Sequence, residues 1–179
     1  VLVRRDLNVE TVGQQAEFPV TGSPIQIGTE GTWRDTRFVV VGRLTYAFDA
    51  GRWNEWHCRL NNGNSAWLSD AQLEYAMTVA VAPDGPLPEP HNAVVGASYR
   101  WGNVRYEISA ITFANYVGTE GELPFTTDSR ARCQFVDLQN ADGALATVDF
   151  SDTPPVLYTG EYCSFDDLAL TNLREFEGW

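Results

Sequence analysis

The chain contains no lysine: all 12 basic residues among its 179 are arginine, set against 24 acidic ones. Within this sequence that excludes Schiff-base and lysine-nucleophile chemistry, which needs a side-chain primary amine. Histidine is nearly absent too, with only His57 and His91, and the three cysteines, Cys58, Cys133 and Cys163, include no C-x-x-C pair. A tetrahedral zinc site therefore has no spacing signature, and no metal or other cofactor is expected. Three widely separated thiols point to a reduced, cytoplasmic setting with buried free cysteines rather than to a disulfide framework. No apolar run approaches the roughly 18 residues of a membrane span, and the start lacks the basic-then-apolar order of a signal peptide. Direct membrane insertion is not expected.

The formal charge of −12 opposes nucleic-acid binding, which draws its affinity from Lys and Arg neutralising phosphates. The same field attracts cations, polyamines or basic protein surfaces, and it also serves simply to keep a protein soluble. Hydrophobic residues make up 44% of the chain and aromatic ones 12%, enough for a packed core without staples.

The most informative stretch is residues 37–70. Phe38, Val40, Gly42, Leu44, Tyr46 and Phe48 alternate with the opposite face of an extended strand. A turn at residues 49–51 follows. Alternation then resumes, with Trp56, Cys58 and Leu60 on one side and Trp53, Glu55, His57 and Arg59 on the other. Asn61 to Asn64 is a second hairpin turn before a returning strand at residues 65–69. The prolines of residues 83–90 bar regular hydrogen-bonded structure and suggest a connector. Beyond it the chain echoes itself: Trp33-x3-Arg37-Phe38-x-Val40 recurs as Trp101-x3-Arg105-Tyr106-x-Ile108. The expectation is an all-β protein of two small meander-based barrel or sandwich lobes arranged as pseudo-repeats. The segments are an arm at 1–23, a first lobe at 24–82, a connector at 83–92 and a second lobe at 93–179. A long loop at 118–130 and a short C-terminal helix capped at Ser164 complete it, with at most one helical turn near Ser69.

The motifs G-T-E-G (Gly28 to Gly31), V-G-R-L-x-Y (Val41 to Tyr46), W-N-E-W (Trp53 to Trp56), W-L-S (Trp67 to Ser69), G-E-L-P-F (Gly121 to Phe125) and Y-T-G-E (Tyr158 to Glu161) resemble the bacterial domain-of-unknown-function family 4178. The resemblance carries no established catalytic residues. It implies that members often have a Cys-pair zinc ribbon ahead of the arm that here begins at Val1, a pair this sequence does not contain. It also implies genes neighbouring phage-shock-like coiled-coil proteins, small membrane proteins and polyamine-synthesis-like enzymes.

Candidate functional residues form two clusters. Trp53 and Trp56 flank Glu55, and aromatic faces beside a carboxylate suit a cationic ligand; core packing of Trp56 explains part of the same pattern. Glu120, Glu122 and Asp128 lie in the 118–130 loop with Phe125 after Pro124, which suits a basic partner anchored by an aromatic ring. The same carboxylates would serve acid/base work if one were buried beside another left ionised. His57 and Cys58 are adjacent on a strand and so point apart, which argues for a core thiol and a surface histidine rather than a nucleophile and its base. The expected function is a non-catalytic interaction or adaptor module of a bacterial cytoplasmic system, with a protein partner, phage-shock-like by the resemblance. The alternatives are a polyamine or other cationic-ligand binder using Trp53, Glu55 and the loop, and an enzyme using the loop carboxylates.

Overall fold

A computed structural model describes the backbone of residues 2–5 and 8–11 and, in full, residues 22–125 and 132–175. Among the described residues there is no helix. The strands are β1 (Leu2–Arg5), β2 (Asn8–Thr11), β3 (Glu30–Trp33), β4 (Thr36–Phe48), β5 (Gly51–Leu60), β6 (Ser65–Ala71), β7 (Glu74–Val81), β8 (Ser98–Trp101), β9 (Val104–Leu123), β10 (Arg132–Gln139), β11 (Ala144–Asp149) and β12 (Val156–Cys163). Eight of them close into a barrel in the order β4-β5-β6-β7-β12-β11-β10-β9, because β9 pairs back onto β4. Strands β3 and β8 extend β4 and β9 outside the ring, and the β1–β2 hairpin joins the far end of β9.

The all-β expectation holds, but the two lobes do not exist as separate bodies. Each supplies a four-stranded meander, β4–β7 and β9–β12, and the two meanders share one ring. Trp33 ends β3 and Trp101 ends β8, each followed by a two-residue turn into the long strand of its half. The connector is no spacer either. Its Leu87, with Ala93 just beyond it, packs on the second meander with Val136, Leu138, Val148 and Leu157.

Both faces of the sheet are therefore covered, which explains apolar side chains on both sides of the strands. Outside the first meander, Phe38, Val40, Trp56, Cys58 and Met77 pack under Ile25, Leu168 and Leu170. The segment after Ser164 was expected to be a helix. It is a run of turns, in which the Ser164 hydroxyl accepts from the Asp167 backbone N–H but Ala169 and Asn172 take positive φ, which no right-handed helix accommodates. What holds it down is the burial of Leu168 and its pairing with β3, where Thr32 N–H donates to the Leu168 carbonyl at 2.9 Å. The turn near Ser69 is likewise not helical: β6 runs straight through it.

Strand β4 carries a bulge at Val41, between the pairs Val40–Cys58 and Gly42–His57. An extra residue reverses the alternation. Phe38 and Val40 consequently face outward, whereas Leu44, Tyr46 and Phe48 face the lumen, so the single face expected from the sequence is split. Closure of the ring occurs just past the bulge, where Gly42 lies opposite Gly121. A Cβ on Gly42 would collide with the Glu122 carbonyl, and one on Gly121 with that of Val41; Gly121 also has φ of 72°.

Cys58, Cys133 and Cys163 are free, the first two buried and the third half-buried. Burial raises the pKa of both Cys58 and Cys163, and an uncharged thiol is a poor nucleophile. A native thiol-labelling assay should find slow reaction at Cys163 alone, with Cys58 and Cys133 labelled only after denaturation; rapid native labelling of all three would contradict the packing.

Tight closure also predicts that Gly42→Ala lowers the unfolding free energy by about 2 kcal/mol or more. Gly63→Ala, in an open hairpin turn with φ of 87°, should cost about 1 kcal/mol through its dihedral alone. Urea unfolding measures both, and equal losses would show that the Gly42–Gly121 crossing is not close-packed.

Candidate functional site

The barrel encloses a cavity of about 290 Å³, the scale at which an eight-stranded barrel holds one small ligand. Alternation aims Tyr46 and Phe48 of β4, Trp53 and Glu55 of β5, Phe135 and Asp137 of β10, and Asp149 of β11 into it. Glu74, Ser109 and Tyr162 line the cavity and are also exposed, which places its mouth at their end. At the other end Trp67 stacks on Phe125 with centroids 5.7 Å apart, and His57 lies against Trp67.

The aromatic part of the wall is a connected group. Tyr46 stacks on Trp53 at 5.0 Å, Phe48 meets Trp53 edge-on at 5.3 Å, and Phe135 approaches both Tyr46 and Trp53 edge-on, at 5.2 and 5.7 Å. Such contacts fix the ring planes. Trp53 then donates its indole N–H to Glu55 Oε1 at 2.9 Å, and the Ser69 hydroxyl reaches the same carboxyl at 2.8 Å. The surface Glu55 retains opens on the cavity, with protein on every side. Burial therefore pushes its carboxyl up to about 7, with Asp137 and Asp149 adding to the rise and the Ser69 and Trp53 hydrogen bonds opposing it. Asp137 accepts from the Thr147 hydroxyl at 2.8 Å, and burial raises its pKa as well. Asp149, 5% exposed, accepts the Ser151 backbone N–H at 2.8 Å.

Of the residues singled out in the sequence, Trp53, Glu55 and Phe125 belong to this cavity. Phe125 is folded against Trp67 rather than displayed on a loop. Glu120 and Glu122 do not join them, because residues 118–123 are not loop but the last part of β9. Glu120 pairs with buried Arg43 at 3.2 Å on the outer side of the wall, and Glu122 with exposed Arg59 at 3.5 Å, and none of the four lines the cavity. Asp128 lies outside the described residues. Trp56 is on the outer face, fully buried, with Arg43 over its ring at 5.2 Å. His57 and Cys58 do point apart, yet His57 is buried rather than on the surface. Its Nδ1 donates to the Glu122 carbonyl at 2.8 Å and its Nε2 accepts from Ser65 at 2.9 Å, an arrangement of the neutral ring. Burial lowers its pKa accordingly.

Sequence reasoning missed Phe135, Asp137 and Asp149. The signal was present as a polar-apolar alternation in Phe135-Val136-Asp137-Leu138 and Thr147-Val148-Asp149, where carboxylates share a face with an aromatic ring.

A carboxyl held up at about 7 binds its proton more tightly in the folded protein than in the unfolded chain. Its contribution to stability is full below pH 4.5 and is lost as the pH rises through 7. Glu55→Gln, which keeps the shape and removes the charge, should match the wild type near pH 4 and exceed it by ~2 kcal/mol at pH 8. Denaturant unfolding at the two pH values checks this, and a variant no more stable than wild type at pH 8 would contradict the burial of Glu55.

No curated protein and no solved structure matches the chain. The family described as "Domain of unknown function (DUF4178)" matches residues 26–165, a span that runs from the segment before β3 through all eight wall strands, and the chain belongs to that family.

Proposed function

We propose that this domain is a non-catalytic binding module that holds a small organic cation, of which a polyamine is the prime example, inside the barrel. One observation carries the reading: among the described residues that line the cavity there are four carboxylates, Glu55, Glu74, Asp137 and Asp149, and no arginine or histidine. An enclosed wall of one sign is costly unless protons or a bound cation balance it. Aromatic faces at Trp53, Tyr46 and Phe135 would add cation-π attraction of about 0.5–2 kcal/mol. Strands β5 and β11 are four apart in the eight-membered ring, so Glu55 and Asp149 stand on opposite walls. Two acidic poles across an aromatic lumen favour a ligand with more than one cationic group. A metal ion fits less well, since among the described residues no three of His, Cys, Asp and Glu gather closely enough to hold one.

An enzyme built on Glu120, Glu122 and Asp128 has less support, because the first two are held by arginines outside the lumen. The adaptor role expected from the sequence stands as a second proposal, in which a bacterial cytoplasmic partner docks on Val94 and Val95, adjacent and exposed just past the connector. The matching order of strands in the two meanders, each entered from a short strand ending in tryptophan, supports a further proposal that the ring arose by internal duplication.

Thermal denaturation at pH 8 tests the cation reading. Spermidine and putrescine should raise the melting temperature of the wild type, whereas glutarate, a diacid of similar size, should not. Glu55→Gln combined with Asp137→Asn should abolish most of the rise, and an undiminished rise in that variant would move the ligand outside the barrel.

A further inference from the structure

We propose that the cavity exchanges protons for its ligand: loading of the cation expels protons from the interior carboxyls to solvent, so the barrel fills at neutral pH and empties as the pH falls. The inference rests on the cation-binding reading above and concerns how that site is controlled.

The geometry leads to it. Glu55 projects from β5, and the groups that face it from the surrounding wall are Asp137 on β10, Asp149 on β11 and Glu74 at the mouth on β7, with tyrosine hydroxyls from Tyr46 on β4 and from Tyr158 and Tyr162 on β12. Strands β6 and β9 contribute Ser69, Ser109 and Thr112 but no charge. Arg43 is engaged with Glu120 and Arg59 with Glu122, and neither arginine lines the cavity. Among the described residues that line the cavity there is no arginine or histidine to offset Glu55 and Asp137, and two carboxyls buried in one enclosed space resist ionising together, so one keeps its proton. Burial of Glu55 and Asp137 acts in that direction.

An ammonium group entering the lumen supplies a positive charge beside these carboxyls. The carboxylic acid then becomes a carboxylate, the released proton goes to water, and the ligand amine stays protonated throughout, so charge and protons balance. Acidification reverses the step. Tyr162, 58% exposed, and Glu74 flank the route by which water and ligand reach Glu55.

Calorimetric titration of the whole domain with putrescine, in phosphate and in ACES at pH 6.5, measures the proton count from the difference in apparent enthalpy. Close to one proton should be released per putrescine bound, and the affinity should rise about tenfold per pH unit between pH 5.5 and 6.5. Glu55→Gln should flatten that slope while the folded state remains intact, as checked by its unfolding curve. Binding with buffer-independent enthalpy, or a slope unchanged in both Glu55→Gln and Asp137→Asn, would overturn the exchange and leave the cation site standing. Failure of putrescine to bind even at pH 8 would overturn the site itself, and the exchange with it.

Discussion

Pairing of β4 with β9 is the constraint on which everything else depends. Without it the two meanders would form an open sheet with two exposed edges, a liability that closure removes. With it, every wall strand has two neighbours and one face of each is sealed from bulk water. Closure needs two backbones to approach where Gly42 meets Gly121, and the Val41 bulge turns β4 so that its second half looks inward. One extra residue thus decides that Tyr46 and Leu44 line a lumen while Val40 does not.

Sealing a lumen changes the meaning of the carboxyls within it. On an open strand Glu55 and Asp137 would be ordinary solvated acids. Inside the ring they are surrounded by aromatic rings and by each other, and their hydrogen bonds from Trp53, Ser69 and Thr147 fix them in place without neutralising them. Fixed acceptors of this kind preorganise a site: the donors have already met the cost of orienting the carboxyls, so a cation that fits loses little entropy on arrival. The outer wall shows the opposite treatment, with Arg43 seated against Glu120 and over Trp56. That contrast between arginine-paired acids outside and the hydroxyl- and indole-bonded Glu55 and Asp137 inside separates structural from functional carboxylates in this molecule.

Much of the wall was legible in the sequence. The alternation of Trp53, Glu55 and His57 against Trp56, Cys58 and Leu60 is the division between lumen and outer packing, and the turns at residues 49–51 and 61–64 fall at strand junctions as read. What pattern alone does not supply is which face is the lumen, because both faces of this sheet are apolar and covered. The second meander suffered most from this. There Val136 and Val148 pack with Leu87 of the connector, while Asp137 between apolar neighbours looks into the cavity. The acidic segment after Gly118 read as a loop because Gly118 and Gly121 signal turns, yet Gly121 serves the close crossing with β4 and Gly118 pairs with Thr45 within the strand. The C-terminal turns were misread through a local cap at Ser164, whose hydrogen bond is real but starts no helix.

The most direct test uses the indole N–H of Trp53 as a reporter, since it bonds to Glu55 within the lumen while that of Trp33 bonds to Glu161 outside the ring at 2.8 Å. In a nitrogen-15 correlation spectrum recorded during titration with spermidine at pH 8, the Trp53 indole signal should shift progressively and saturate, with the Trp33 signal unmoved. A Trp53 signal that stays fixed while resonances of the outer wall shift would contradict a cation site in the barrel.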